Sequence, residues 1–525
     1  MGRKFALALL LSLLAIWAHG ARAATLRWSA QGDILTMDPH AQNVVTTTNI
    51  QAQIYEPLIS RDKQMRVVPA LAVSWAQSSP TVWVFNLRRD VKFHDGAPFT
   101  ADDVLFSLQR ANEPTSNFRV YAGVASSVRK LDDYTVEVTT AAPNLALLNQ
   151  LSFVLMMNKA WCINHNVGRP QDFKNKEETY AVRNANGTGP YSLKSRDPDV
   201  KTVLAENPNW WGNREGNVSE AIFLPIKSDA TRVAALLSGE VDFVLDPPLQ
   251  DLTRLKNTSG LKLVEGRENR IIFLGMDQSR GELLYSDVKG KNPFKDVRVR
   301  RALSQAIDIE AIKSRVMRGF ADPAGTLASP WWGDYFTPSM DQRLPLDRPK
   351  ARRLLAEAGY PEGFEVTLDC PNARYINDEQ ICQALAAMFV QIGIRAKLNT
   401  MPPANYFAKL QKNDTSLYML GWGGPPSDPI TLLRPVLHSP RPGGDGDFNY
   451  GRAIDSKLDD LIDRIDIEAD PARRQVMVAE AMALHDEEVL HIPLHRQVIP
   501  WAMRANLRVV HRPDNRLELS WTRIE

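Results

Sequence analysis

An α/β fold is the class this sequence predicts, and three observations predict it. Segments with the two-residue period of a strand alternate with segments of helical period along the whole chain. One stretch, Phe364–Thr400, reads as strand, helix, strand, a unit that demands a parallel pair and a right-handed crossover. At 525 residues there is also room for two or more lobes with sizeable cores. With 44% hydrophobic and 24% charged residues, the composition is that of an ordinary soluble globular protein.

The N-terminus comes first. Arg3-Lys4, the apolar run Phe5–Ala18 and Ala21-Arg22-Ala23 form the basic start, apolar centre and A-x-A site of a secretory signal peptide. The run is shorter than the ~20 residues of a membrane span. Cleavage before Ala24 is therefore expected. It removes three basic residues and no acidic one, taking the formal charge from +2 to −1. No basic stripe marks a nucleic-acid binder.

The elements then follow in order. Thr25–Ser29 alternates as a strand, and Asn49–Leu58 is expected to be a helix. In Thr81–Leu108, TVWVFNLRRDVKFHDGAPFTADDVLFSL, the residues Trp83, Phe85 and Leu87 alternate with Val82, Val84, Asn86 and Arg88. His94-Asp95-Gly96 makes a turn, and Thr100 with Asp103 reads as a capping box. Leu131–Val138 is a turn and strand. Gly187-Thr188-Gly189-Pro190-Tyr191 forces a sharp change of direction before another strand, with Lys201–Glu206 and Asn207-Pro208-Asn209-Trp210-Trp211-Gly212 after it. Ser228–Ser238 is a capped helix stopped by Gly239, and Val241–Leu245 a buried strand.

Asp296–Arg318 reads as one long helix, capped by Asp296 and ended by Gly319, with Val299, Ala302, Leu303, Ala306 and Ile307 on one face. Asp347–Ala358 is a second helix, with Gly359 past its end. Asp378–Ile392 is the helix inside Phe364–Thr400. The short strand Tyr418–Leu420 runs into Gly421-Trp422-Gly423-Gly424-Pro425-Pro426-Ser427-Asp428-Pro429, and a helix pair ends near Glu488. Ile492-Pro493-Leu494 then begins a returning strand.

The chemistry legible in the sequence is sparse. There is no G-x-S-x-G elbow, no phosphate loop, no C-x-x-C and no H-E-x-x-H. Adjacent Asp102-Asp103 and Asp459-Asp460 point apart on a helix and make no acid–base pair. Of three cysteines, Cys370 and Cys382 can bridge a strand end to the following helix, which leaves Cys162 as a small buried hydrophobe. His491 and His495 are separated by Pro493, which argues against a helical metal pair and for packing in a strand. No enzyme, cofactor or metal site is expected.

The stretch Thr81–Leu108 closely resembles the signature of the family 5 solute-binding proteins, receptors of peptide and nickel ABC importers: L-R-x-x-V-K-F-H-D-G, then P-F-T-A-x-D-V. Leu35–His40, Tyr55-Glu56-Pro57-Leu58, Gly187–Tyr191 and Pro293–Leu303 resemble further family landmarks, with Trp210 where relatives have Tyr. The resemblance implies a type II (cluster C) periplasmic-binding-protein fold, with two α/β lobes, an extra subdomain, and a hinge of two crossovers near 282 and 498. The implied division is lobe 1 from 24–60, 186–282 and 499–525, the extra subdomain from 61–185, and lobe 2 from 283–498.

The implied function is a periplasmic receptor that encloses a small peptide or peptide-like solute. It would hand that solute to a membrane permease and its ATPase, and would act as a monomer. No cysteine stands at the mature N-terminus for a lipid anchor. In the family's terms Trp422 lies beside the ligand or packs at a strand end. Arg374, just after a strand, receives a carboxylate or is an ordinary surface arginine. Peptide-binding relatives carry an Asp three residues after the loop tryptophan to meet the ammonium group; here that position is Pro425, and Asp428 is the acid left to reach in. Receptors for metal chelates, opines, glycosides or glutathione share the fold, and His438 or His40 would serve a metal chelate. A periplasmic chaperone or sensor without a transport role is the alternative from another class.

Overall fold

The computed structural model describes residues 24–144, 146–423 and 428–525. The expected leader, 1–23, lies outside the described residues. Lobe 1 opens with β1 (Ala24–Ala30) and α1 (Val45–Ile54). The helix expected over Asn49–Leu58 thus lies nearer the N-terminus. Tyr55 is already extended, and Pro57 disfavours helical geometry at Glu56.

The extra subdomain follows: β2 (Ala72–Ser79), β3 (Val82–Leu87), α2 (Ala101–Ala111), β4 (Ala125–Asp132) and β5 (Thr135–Thr140). Its sheet has the order β2-β3-β5-β4 and is covered on one side by α2. The expected capping box forms, with Thr100 N donating to Asp103 Oδ2 at 3.0 Å. Phe85, Phe99, Val104, Leu108, Val136 and Val138 fill a core of its own. A buried ion pair ties the subdomain to the first segment of lobe 1. Arg110 on α2 donates to both oxygens of Asp38, at 2.8 and 2.7 Å, and the two side chains are 1% and 0% exposed.

The chain returns to lobe 1 with β6 (Tyr191–Asp197), β7 (Lys201–Glu206), β8 (Val218–Pro225), α3 (Asp229–Ser238) and β9 (Phe243–Val244). Gly187 lies over the end of α1. A Cβ there would stand 2.0 Å from the Ile54 carbonyl oxygen, so glycine is what allows the close approach.

One long strand, β10 (Leu261–Met276), leads out of lobe 1. Lobe 2 contains α4 (Val297–Ala306), α5 (Arg348–Glu357), β11 (Phe364–Pro371), α6 (Asp378–Val390), β12 (Ile394–Met401), β13 (Leu417–Gly423), α7 (Ser456–Ile467) and α8 (Pro471–Glu487). A second long strand, β14 (His491–Arg504), leads back. The single helix expected over Asp296–Arg318 breaks. α4 stops at Ala306, Ile307 is extended, and a new turn starts at Asp308, whose side chain accepts from Ala311 N at 2.9 Å. An aspartate that can bond its own downstream backbone offers the chain a fresh start in place of a continuing helix.

The eleven-stranded main sheet has the order β12-β11-β13-β10-β14-β9-β1-β8-β7-β6, with Ala321–Pro323 paired to β14. β11 is parallel to β12, as the strand–helix–strand reading requires. The antiparallel pair β10–β14 belongs to both lobes. Arg267 pairs with Val498, but the next pair is Ile271 with Arg496, so Glu268, Asn269 and Arg270 bulge opposite Gln497 alone. Such a bulge bends a strand and re-aims its side chains. The extra subdomain also touches lobe 2: Gln411 Nε2 donates to Asn117 Oδ1 at 3.1 Å, and Arg119 lies 4.0 Å from Asp447.

Candidate ligand-binding site

The bulge sets the floor of a cleft between the lobes. Arg270 Nε donates to Glu268 Oε1 at 2.9 Å. The pair is almost wholly buried, at 4% and 3% exposure, yet Arg270 Nη2 and Glu268 Oε2 have no hydrogen-bond partner among the described residues. Buried charged groups left this way are costly, and they point to something that completes them.

Arg374 approaches from lobe 2, on the loop after β11. That loop is fixed three times. A Cys370–Cys382 disulfide brackets it. Asp378 Oδ2 accepts from the Arg374 and Tyr375 backbone N–H groups at 2.9 and 3.0 Å. Tyr375 Oη accepts from Gly421 N at 2.8 Å, which joins the loop to the end of β13. The guanidinium lies 4.6 Å over the Tyr375 ring, and no ion pair holds it among the described residues.

Trp422 ends β13. Its Nε1 donates to the Thr431 carbonyl at 3.2 Å and its ring packs 4.7 Å from Phe448. Trp422, Arg374 and Arg270 line one cavity of about 30 Å³, and Trp422 faces a second of about 40 Å³ with Trp331, Trp332 and Phe153. Through Gly423 both adjoin a larger cavity of about 300 Å³ against lobe 1, walled by Tyr55, Phe153, Trp210, Trp211 and Trp521. Glu56 supports that wall. Burial pushes its carboxyl up to about 7, and it accepts from Trp210 Nε1 at 3.0 Å, Trp211 Nε1 at 2.9 Å and Thr188 Oγ1 at 2.8 Å.

Two of the three site residues singled out in the sequence are thus brought together. The third, Asp428, lines none of these cavities. Both its oxygens take the guanidinium of buried Arg474, and its Oδ1 also caps Ile430 N at 3.0 Å. The tie to Arg474, more than forty residues downstream, carried no sequence signal. Glu268 and Arg270 were missed as well. The signal available was a run of charge, Glu265–Arg270, inside an otherwise apolar strand.

Neither histidine considered for a metal chelate faces the cleft. His40 Nε2 bonds the Leu155 carbonyl at 2.8 Å and Nδ1 faces Arg110 at 3.1 Å. Burial, then the Arg110 charge, push its pKa down to about 3. His438 lies near Asp445 and Asp463, the one group of possible metal-ligand atoms among the described residues. Both carboxylates there are already filled by Arg434 and Arg441. His491 and His495 are buried in β14, His491 stacked on His485, so packing explains them.

A sequence model of the bacterial extracellular solute-binding proteins, family 5 (middle), matches residues 66–444. The chain belongs to this family, and it is a solute-binding receptor of an ABC importer. It is 27% identical over 475 residues to Heme-binding protein A of Haemophilus influenzae, covering 85% of this chain and 82% of the relative. It is 25% identical to Glutathione-binding protein GsiB of Salmonella choleraesuis, covering 90% and 89%. The same two-lobed fold occurs in the periplasmic binding protein DppA from Helicobacter pylori in complex with peptide STSA. There the TM-score is 0.85 and the identity 21%, over 96% of this chain and 99% of that one. These relatives are binding proteins, and receptors of this family are periplasmic. No described helix is long and apolar enough to cross a membrane.

Proposed function

We propose that this receptor takes up a small peptide or peptide-like solute and holds its carboxylate with Arg374. One observation carries the reading. Arg374 is a guanidinium without an ion partner among the described residues, on a loop fixed by a disulfide, and it faces the cavity it shares with Trp422 and Arg270. A guanidinium offers a planar fork that suits a carboxylate. That one relative is named for glutathione, itself a peptide, supports the same solute class. Asp428 serves instead to hold its loop against α8 through Arg474.

The lobes close about the paired bulge, 267–271 on β10 and 496–498 on β14, so the first crossing lies upstream of the position near 282 suggested by the sequence. The leader is removed before Ala24 and the mature receptor works as a free periplasmic monomer, which N-terminal sequencing and light scattering check. Native mass spectrometry of the purified chain, followed by calorimetry with the retained solute, tests the solute class. Arg374→Ala is expected to weaken binding about ten- to hundredfold, since hydrogen bonds to charged groups contribute ~1.5–3 kcal/mol. A retained solute without a carboxylate, or unchanged affinity in Arg374→Ala, refutes it.

A further inference from the structure

The small cavity behind Arg374 is lined by four charged side chains: Asp246, Glu268, Arg270 and Arg374. They come from both lobes and from the bulge between them. Asp246 follows β9 in lobe 1, and Arg374 follows β11 in lobe 2. Their formal charges cancel. Glu268 and Arg270 pair with each other, so a purely anionic solute would leave Asp246 facing it unpaired, and a cation would do the same to Arg374. Burying such unpaired charges opposes binding.

The four are also sorted in space. The neighbouring cavity, shared with Trp422, contains Arg270 and Arg374 but neither acid. The one that holds the acids is about 20 Å³, room for one water-sized group such as an ammonium. Among the described residues Glu268 Oε2, Arg270 Nη2 and Arg374 Nε have no hydrogen-bond partner, and Asp246 makes no ion pair. Burial pushes the Asp246 carboxyl up to about 6, against the opposing charges of Arg232, Arg374 and Arg270.

From this arrangement we infer that the solute is a zwitterion, its ammonium group received by Glu268 and Asp246 at the hinge and its carboxylate by Arg270 and Arg374. The inference rests on the peptide-like reading above and specifies its head group. It also accounts for two features of the loop after Trp422. Residue 425 is proline, without an acceptor, and Asp428 is spent on Arg474. The acid that meets the amine has moved from that loop to the floor of the cleft. A solute bound there links Asp246 of lobe 1 to Arg374 of lobe 2 and so favours the closed arrangement.

The test uses two matched probes, a library of unmodified di- and tripeptides and the same library N-acetylated, each offered to the full mature chain and read by native mass spectrometry. Unmodified peptides should be captured, and their acetylated partners held about ten- to hundredfold more weakly. Asp246→Asn and Glu268→Gln should each shrink that preference. Because Glu268→Gln disturbs the Arg270 pair, Asp246→Asn, which breaks no ion pair among the described residues, is the variant that keeps the fold. Equal capture of acetylated peptides, or an undiminished preference in both variants, overturns the amine site while leaving the peptide receptor standing. Capture from neither library overturns the peptide-like reading itself, and the amine site with it.

Discussion

Single residues in this receptor divide into those that hold the frame and those that wait for a partner. Arg110 holds the frame: besides Asp38 it donates to the carbonyls of Val167 and Arg169, so one guanidinium fastens three segments. Truncating one member of a buried pair strands the other charge. Arg110→Ala should therefore lose roughly 3–5 kcal/mol in urea unfolding. Asp246 is of the waiting kind. Its folded pKa, about 6, lies above the ordinary 3.8, with Arg232, Glu268, Arg374 and Arg270 the charges that face it. The folded empty chain thus holds a proton that the unfolded chain has released, and this group's contribution to stability falls as pH rises from about 4 through 6. Binding runs the opposite way, because an ammonium group needs the ionised carboxylate. Calorimetry with the captured peptide should show affinity about tenfold weaker at pH 5 than at pH 7.5, and Asp246→Asn should flatten that step.

At the scale of elements, legibility followed the reach of the interactions. The capping box of α2, the end of α3 at Gly239 and the parallel pair β11–β12 are local or periodic, and each was readable. The break at Ile307 was not, because the apolar stripe runs on through it while Asp308 recaps the chain. The bulge of β10 was invisible for a related reason: its cause is the register of β14, more than two hundred residues away. That Arg374 and Trp422 line one cavity agrees with where the motifs put them, whereas the carboxylate of Asp428 could not be assigned without Arg474. One loop of lobe 2 also has a measurable role. Gly444 has φ +104°, and a Cβ there would stand 2.5 Å from Val120 N of the extra subdomain. Strain of this kind costs about 1–3 kcal/mol. Gly444→Ala should therefore lower the stability of the folded chain by about 1–3 kcal/mol in urea unfolding.

For the whole molecule, the continuous sheet means that the lobes are joined by a hydrogen-bonded two-stranded ribbon. Closure must then bend that ribbon at its weakest rungs, where three residues face one. The contacts of Gln411 with Asn117 and of Arg119 with Asp447 join the extra subdomain to lobe 2, and opening of the lobes is expected to break them. Small-angle scattering should show a smaller radius of gyration with saturating solute than without. An unchanged profile would rule out hinge closure.

The Cys370–Cys382 bridge ties the order of the Arg374 loop to the redox state of the compartment in which the chain folds. It encloses Arg374 and Tyr375 within a span of 12 residues, so an oxidising compartment helps to order the loop that carries the proposed carboxylate anchor. Cross-links closing loops of about this size restrict the open chain by about 3 kcal/mol in the chain-entropy description. Cys162 does not interfere: it is buried, and burial pushes its thiol up to about 12, far from the thiolate that exchange requires. Protein folded in a reducing cytosol would therefore carry the same lobes and the same arginine on a slacker tether. On the proposed role of Arg374, the redox poise of the compartment in which the chain folds then sets how well its ligand anchor is ordered.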